Sequence, residues 1–71
     1  MKIEIEYCSM WNYKPEAVRV AAEIKQVSKA KITLTEGERG IFDVKQGGKL
    51  LYSKAKTGTF PTPNELDNLV Q

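Results

Sequence analysis

Cys8 carries the only thiol of this sequence, and its sulfur is the side-chain atom best suited to covalent chemistry. The 71 residues contain one cysteine and no histidine. A disulfide within the chain is therefore impossible, and so is a zinc site built from cysteine and histidine ligands. Catalytic arrangements that need a histidine base are excluded as well. The chemistry that remains is that of a thiolate, which attacks disulfides and peroxides.

The residues around Cys8 predict that it lies between a strand and a helix. Residues 2–7 alternate apolar and charged side chains, and Pro15 fits the first turn of a helix. Free N–H groups at a helix start stabilise a thiolate and lower its pKa when the sulfur points at them, and Lys14 is close enough in sequence to help. If the sulfur points elsewhere, Cys8 is a small buried apolar residue, as free cysteines often are.

The elements that would position Cys8 follow from the hydrophobic pattern. An apolar stripe at spacings of three and four predicts a helix from Pro15 to about Val27 or Ser28. Alternation and glycine-bearing turns predict three more strands, with a tight hairpin between the last two. The stripe consists of Ala17, Val20, Ala21, Ile24 and Val27; the strands are 31–35, 41–45 and 50–53, and the hairpin turn is 46–49.

The C-terminal part predicts a loop over 55–61 and then a second helix. Thr62, Pro63 and Glu65 form a capping-box pattern, and Leu66, Leu69 and Val70 supply an apolar face. The element order is then β-α-β-β-β-α, an α/β fold in which strands one and two must be parallel. We expect residues 1–71 to form a single two-layer thioredoxin-like domain, with two helices on one face of a four-stranded mixed sheet. The other face, with Glu4, Glu6, Thr33 and Thr35, would meet water.

The segment from Tyr7 to Pro15, YCSMWNYKP, resembles the redox motif of the selenoprotein W-like (Rdx) family. That motif reads Tyr-Cys-x-x-(Cys or selenocysteine)-x-Tyr-Lys-Pro at a strand-to-helix junction. The resemblance continues along nearly the whole chain, through Gly40–Val44, Gly48–Leu50, Ser53, Lys54, Gly58 and Phe60. This sequence departs from the motif at the second redox position, where it has Trp11.

The resemblance implies a thiol-redox protein in which Cys8 is the catalytic residue and works alone. It would form a mixed disulfide with glutathione, as co-substrate, or with a protein thiol, and it would not be a dithiol reductase. No bound cofactor and no metal are expected. The alternative is a non-catalytic module that has lost the second redox residue and binds an unknown protein partner through Trp11, Met10, Tyr13 and Phe60. Trp11 itself is interpreted either as a lid over the loop or as an exposed contact residue.

Charge and hydropathy limit the partners and the cellular location that we expect for the protein. The formal net charge is +2, and the lysines are spread along the chain, so no nucleic-acid partner is expected. No apolar run approaches the roughly 20 residues that a membrane span needs. The N-terminal residues alternate in charge and do not form the apolar segment of a signal peptide. We therefore expect a cytoplasmic monomer without a membrane partner.

Overall fold

The computed structural model describes residues 2–70, and its first element coincides with the first predicted strand. The other strands lie within one residue of their predicted bounds. In chain order the elements are β1 (Lys2–Tyr7), α1 (Lys14–Val27), β2 (Lys31–Glu36), β3 (Phe42–Gln46), β4 (Lys49–Ser53) and α2 (Lys54–Thr57).

The four strands form one mixed sheet in the order β2-β1-β3-β4. β1 and β2 are parallel, whereas β1 pairs with β3 and β3 pairs with β4 in antiparallel fashion. The predicted four-stranded mixed sheet is confirmed. At the carboxyl end of β1, Tyr7 stands opposite Glu36 of β2 and Phe42 of β3. This register brings the connection between β2 and β3 beside the residue that follows Tyr7.

One face of the sheet forms the core together with α1. The apolar alternation of β1 places Ile3, Ile5 and Tyr7 inside, and the helix stripe packs on them. Val27, the last residue of the predicted stripe, is an exception because it is 50% exposed. The buried helix residues are Ala17, Val20, Ala21 and Ile24.

The opposite face of the sheet is wetter, as predicted. Glu4 and Thr33 are exposed, whereas Glu6 and Thr35 are half-buried. The Thr35 hydroxyl donates a hydrogen bond to Glu4 Oε2 at 3.1 Å, which links β2 to β1. Within residues 2–70 no helix has the length and apolar character needed to cross a bilayer.

The predicted hairpin joins β3 to β4 through Gly47 and Gly48. Their φ angles are +57° and +84°, the pair of positive values that a type I′ turn requires. Residues other than glycine rarely adopt two positive φ angles in succession, so the glycine pair determines the conformation of this turn.

The predicted second helix is wrong in its position. The helical residues are Lys54–Thr57, inside and just before the predicted loop, and they end at Gly58 with φ +82°. From Pro63 to Leu69 the chain forms successive turns instead of a helix. Asn64 explains the difference, because its φ of +64° lies in the left-handed region and interrupts a right-handed helix.

Part of the capping-box pattern is nevertheless present. Glu65 Oε1 accepts a hydrogen bond from the Thr62 N–H at 2.9 Å, as expected. The Glu65 N–H, however, donates to the Thr62 carbonyl at 3.0 Å, and the Thr62 hydroxyl donates to Glu65 Oε1. Leu66 reaches the core with 3% exposure, whereas Leu69 is 43% exposed. The segment therefore contributes one core residue without forming a helix.

Candidate functional site

Cys8 is fixed by its backbone at the junction where β1 leaves the sheet. Its N–H donates to the Ile41 carbonyl at 2.9 Å, and its carbonyl accepts from the Tyr13 N–H at 3.0 Å. Between these points the chain turns sharply, with Asn12 at φ +59° and its N–H donating to the Ser9 carbonyl. α1 begins directly after this turn. The predicted position between strand and helix is confirmed.

The sulfur of Cys8 lies beneath the turn that follows it. The Trp11 N–H donates to Sγ at 3.3 Å. Cys8 is only 1% exposed, yet Ser9, Met10 and Trp11, which cover it, are all exposed. The sulfur is therefore close to the surface but closed off by one loop.

The groups around the sulfur favour its charged form. Burial raises the pKa of the Cys8 thiol, but the backbone N–H groups of Gly40, Trp11 and Met10 lower it, and the positive charge of Arg39 lowers it further. The net effect holds the pKa of Cys8 below its ordinary value. A thiol with a lowered pKa has the thiolate character that nucleophilic sulfur chemistry needs.

The structure shows that sequence reasoning located the anion-stabilising groups only in part. Met10 and Trp11 lie in the loop before α1, whereas Gly40 and Arg39 come from the connection between β2 and β3. The positive charge near the sulfur is that of Arg39, and Lys14 does not contribute to the shift. The sequence gives one signal for this connection, a glycine-bearing polar turn, but nothing local shows that it approaches Cys8.

Trp11 lies against that same connection. Gly40 has φ +78°, and a Cβ built on it would stand 2.8 Å from Cζ3 of the Trp11 ring. The indole therefore packs on the Gly40 backbone, while 53% of Trp11 stays exposed. One part of the ring covers the turn, and the rest presents an aromatic surface to solvent.

Three of the four predicted binding residues form a continuous aromatic row. Trp11 and Tyr13 have ring centroids 6.1 Å apart, and Tyr13 and Phe60 are 4.8 Å apart, both edge to face. Phe60 continues to Phe42 in the core at 5.2 Å. Met10 is 70% exposed and is not part of the row.

Lys54 lies over this row at the start of α2. Its ammonium is 5.5 Å from the centre of the Tyr13 ring and 5.3 Å from that of Phe60. Such distances allow an attractive cation–π interaction with both rings. α2 is thereby linked to the segment that leads from Cys8 into α1.

Metal-binding side chains do not gather near Cys8 or elsewhere in the described part of the chain. No group of three or more His, Cys, Asp or Glu residues between positions 2 and 70 is arranged to hold a metal ion.

Comparison with solved structures supports the fold. The chain superposes on a selenoprotein W-related protein from Vibrio cholerae with a TM-score of 0.86 and 23% identity, covering 94% of this chain and 88% of the other. It superposes on a protein from Bordetella parapertussis with a TM-score of 0.81 and 21% identity, covering 94% and 89%. A search of curated proteins finds no match.

Comparison with protein families gives the assignment. A sequence model described as the Rdx family matches residues 2–71, essentially the whole chain. This agrees with the resemblance of the YCSMWNYKP segment and with the thioredoxin-like arrangement of the sheet. The family suggests a redox-related role of the thioredoxin-like kind. The chain belongs to the selenoprotein W-like (Rdx) family.

Proposed function

We propose that this chain is a thiol-redox protein that acts through Cys8 alone, as a monothiol. The observation that carries the proposal is the position of Sγ, 3.3 Å from the Trp11 N–H and among further backbone donors. These donors stabilise negative charge on sulfur both when Cys8 attacks and when it leaves. A thiol of lower pKa is also the better leaving group in disulfide exchange.

The reaction is a pair of thiol–disulfide exchanges. The Cys8 thiolate attacks one sulfur of a disulfide such as oxidised glutathione; a Cys8–glutathione bond forms, the glutathione S–S bond breaks, and the second glutathione leaves as its thiolate. A thiolate of glutathione or of a partner protein then attacks the glutathione sulfur of this mixed disulfide. A disulfide forms between the attacking sulfur and glutathione, the Cys8–glutathione bond breaks, and the Cys8 thiolate is released. With a partner thiol the net result is transfer of glutathione to the partner, whereas with glutathione the step reverses the first exchange.

The resolving thiol must come from outside because Trp11 occupies the second redox position. The loop of Ser9 to Asn12 must also move aside, since Cys8 is only 1% exposed. A cytoplasmic location suits this chemistry, because the cytosol keeps thiols reduced and supplies glutathione.

Mass spectrometry after incubation with oxidised glutathione tests the proposal. The folded wild-type protein should gain one glutathione per chain and lose it on addition of a reduced thiol. The Cys8→Ser variant should gain none while keeping its circular-dichroism spectrum. A wild-type protein that reacts only after unfolding would contradict the proposal.

The exposure of Met10 and Trp11 favours a second candidate, a non-catalytic protein-binding module. These side chains are 70% and 53% exposed directly beside Cys8, and large apolar side chains grouped in this way are a feature of contact surfaces. A partner held by such a surface would be retained by Cys8→Ser and lost by Trp11→Ala. A partner lost by Cys8→Ser and released by a reductant would support the redox function instead.

A further inference from the structure

Trp11 contacts the surroundings of the Cys8 thiol through two different parts of the residue. Its backbone N–H donates directly to Sγ at 3.3 Å. Its indole contacts Gly40, whose own N–H lowers the pKa of the same thiol. One residue therefore contacts both segments that surround the sulfur, the loop after β1 and the connection before β3.

Gly40 lies in a turn whose C-terminal end, at Ile41, is hydrogen-bonded to Cys8. The Ile41 N–H donates to the Glu38 carbonyl at 3.1 Å, and the Ile41 carbonyl accepts from the Cys8 N–H at 2.9 Å. These bonds fix Ile41 and the Gly40–Ile41 peptide next to Cys8, but they do not involve the Arg39–Gly40 peptide, which carries the Gly40 N–H. With the chain neighbours Arg39 and Ile41 set aside, the Trp11 ring lies nearest to the position that a Cβ of residue 40 would take.

We propose that Trp11 is a positioning residue, whose indole packs on Gly40 and holds the 9–12 loop and the 38–41 turn together around Sγ of Cys8. The inference rests on the proposed redox function and assigns a role to the position at which this chain lacks a second thiol. At this position the Trp11 side chain keeps the N–H groups of the 9–12 loop and of Gly40 directed at the sulfur. The indole acts on the chemistry through Gly40 and does not itself exchange electrons.

The fit between the two residues is close enough to couple them. A Cβ at position 40 would come 2.8 Å from Trp11 Cζ3, closer than two carbon atoms can approach without movement. Gly40 also needs its φ of +78°, which disfavours other residues whatever the space. Any side chain at position 40 would therefore displace the indole.

Titration of the ultraviolet absorbance of the thiolate, with Cys8→Ser as blank, tests this role without requiring a reagent to reach the sulfur. In Trp11→Ala we expect the Cys8 midpoint to rise toward that of a free thiol, by about half a pH unit or more, equivalent to about a threefold loss of thiolate at neutral pH. Trp11→Phe should restore part of the shift. Leu69→Ala, a matched truncation at a 43% exposed site remote in sequence, should leave the midpoint unchanged.

A double-substitution cycle separates the indole–glycine contact from general loosening. Gly40→Ala should raise the midpoint more when Trp11 is present than in a Trp11→Ala background, because the backbone strain is common to both backgrounds and only the displaced ring is absent from the second. Equal shifts in both backgrounds, or an unchanged midpoint in folded Trp11→Ala and Trp11→Phe, would overturn the inference. A wild-type protein whose Cys8 midpoint is lowered and depends on Trp11 as expected, but which forms no mixed disulfide, would instead count against the proposed function.

Discussion

The guanidinium of Arg19 donates a hydrogen bond to the Pro61 carbonyl at 2.6 Å, joining the middle of α1 to the C-terminal segment. Two carboxylates on the same helix hold the guanidinium in place, Glu16 at 2.9 Å and Glu23 at 2.8 Å. Glu23 also accepts from the Asn64 N–H at 3.2 Å. The segment that failed to form a helix is thus fastened to the domain through polar contacts as well as through Leu66.

Replacing Arg19 with methionine should weaken this attachment. Methionine keeps much of the apolar stem and removes the charge and the donors. We expect a loss of about 1–2 kcal/mol in the free energy of unfolding, limited because the pair is partly exposed to water. Urea denaturation measures it, with Lys25→Met on the exposed face of α1 as control. Equal stabilities for the two variants would show that the polar contacts of Arg19 with Glu16, Glu23 and Pro61 together contribute nothing.

Lys54→Met should remove the cation that lies over Tyr13 and Phe60. The expected loss of stability is about 0.5–1 kcal/mol, the usual range for a partly exposed cation–π pair. Lys56→Met, at an exposed position of the same short helix, provides the matched control. Thermal unfolding of both variants in high and low salt would check the origin of the effect. A loss shared by the two variants would point to helix propensity instead.

Tyr52→Phe should destabilise the turn that follows β4. The buried Tyr52 hydroxyl donates to the Thr59 carbonyl at 2.6 Å and accepts from the Thr57 hydroxyl at 3.0 Å. Removing it leaves the Thr59 carbonyl without this donor, at a cost of about 1 kcal/mol in the free energy of unfolding. Unchanged chemical denaturation of the phenylalanine variant would contradict this account of the turn.

The stability difference between wild type and Cys8→Ser should depend on pH. The N–H groups and Arg39 outweigh burial, which raises the pKa, so the pKa of Cys8 is lower in the folded chain than in the unfolded one. A group of this kind adds stability above its unfolded pKa of about 8.5 and loses it as the pH falls through the folded value.

Urea denaturation of both proteins at several pH values measures this difference. The free energy of unfolding of wild type, relative to that of Cys8→Ser, should grow as the pH rises from the folded to the unfolded pKa of Cys8 and should then level off. The serine variant is the reference for the wild-type protein, because the two proteins share all other titrating groups. A difference that stays constant, or that shrinks with rising pH, would show that the folded chain does not favour the thiolate.

The sequence was informative where local pattern decides the structure. The alternation of Ile3, Ile5 and Tyr7 specified β1 and its buried face, and the glycine pair at 47 and 48 specified the hairpin. The stripe of α1 gave the helix to within a residue, although Val27 at its end is half exposed. In each of these elements the local preference and the tertiary environment agree.

The second helix and the surroundings of the thiol show where local pattern is insufficient. Thr62 and Glu65 carry a helix-start signal, but Asn64 takes a left-handed backbone and donates to Glu23 on another element. Gly40 and Arg39 reach Cys8 only because Tyr7 pairs with Phe42 in the register of β1 and β3. That pairing is a long-range contact, and no spacing within the sequence reveals it.

The position of Trp11 beside an unpaired thiol has a quantitative consequence for the proposed exchange. When two thiols in one protein are oxidised by a glutathione disulfide, two glutathione molecules are released, so the balance depends on the total amount of glutathione. When a single thiol forms a mixed disulfide, one molecule of oxidised glutathione is consumed and one molecule of reduced glutathione is released. The fraction of Cys8 in the mixed disulfide then depends on the ratio of oxidised to reduced glutathione and is unaffected by dilution of both. With Trp11 in the second position, the proposed exchange would therefore follow this ratio and not the total concentration of glutathione.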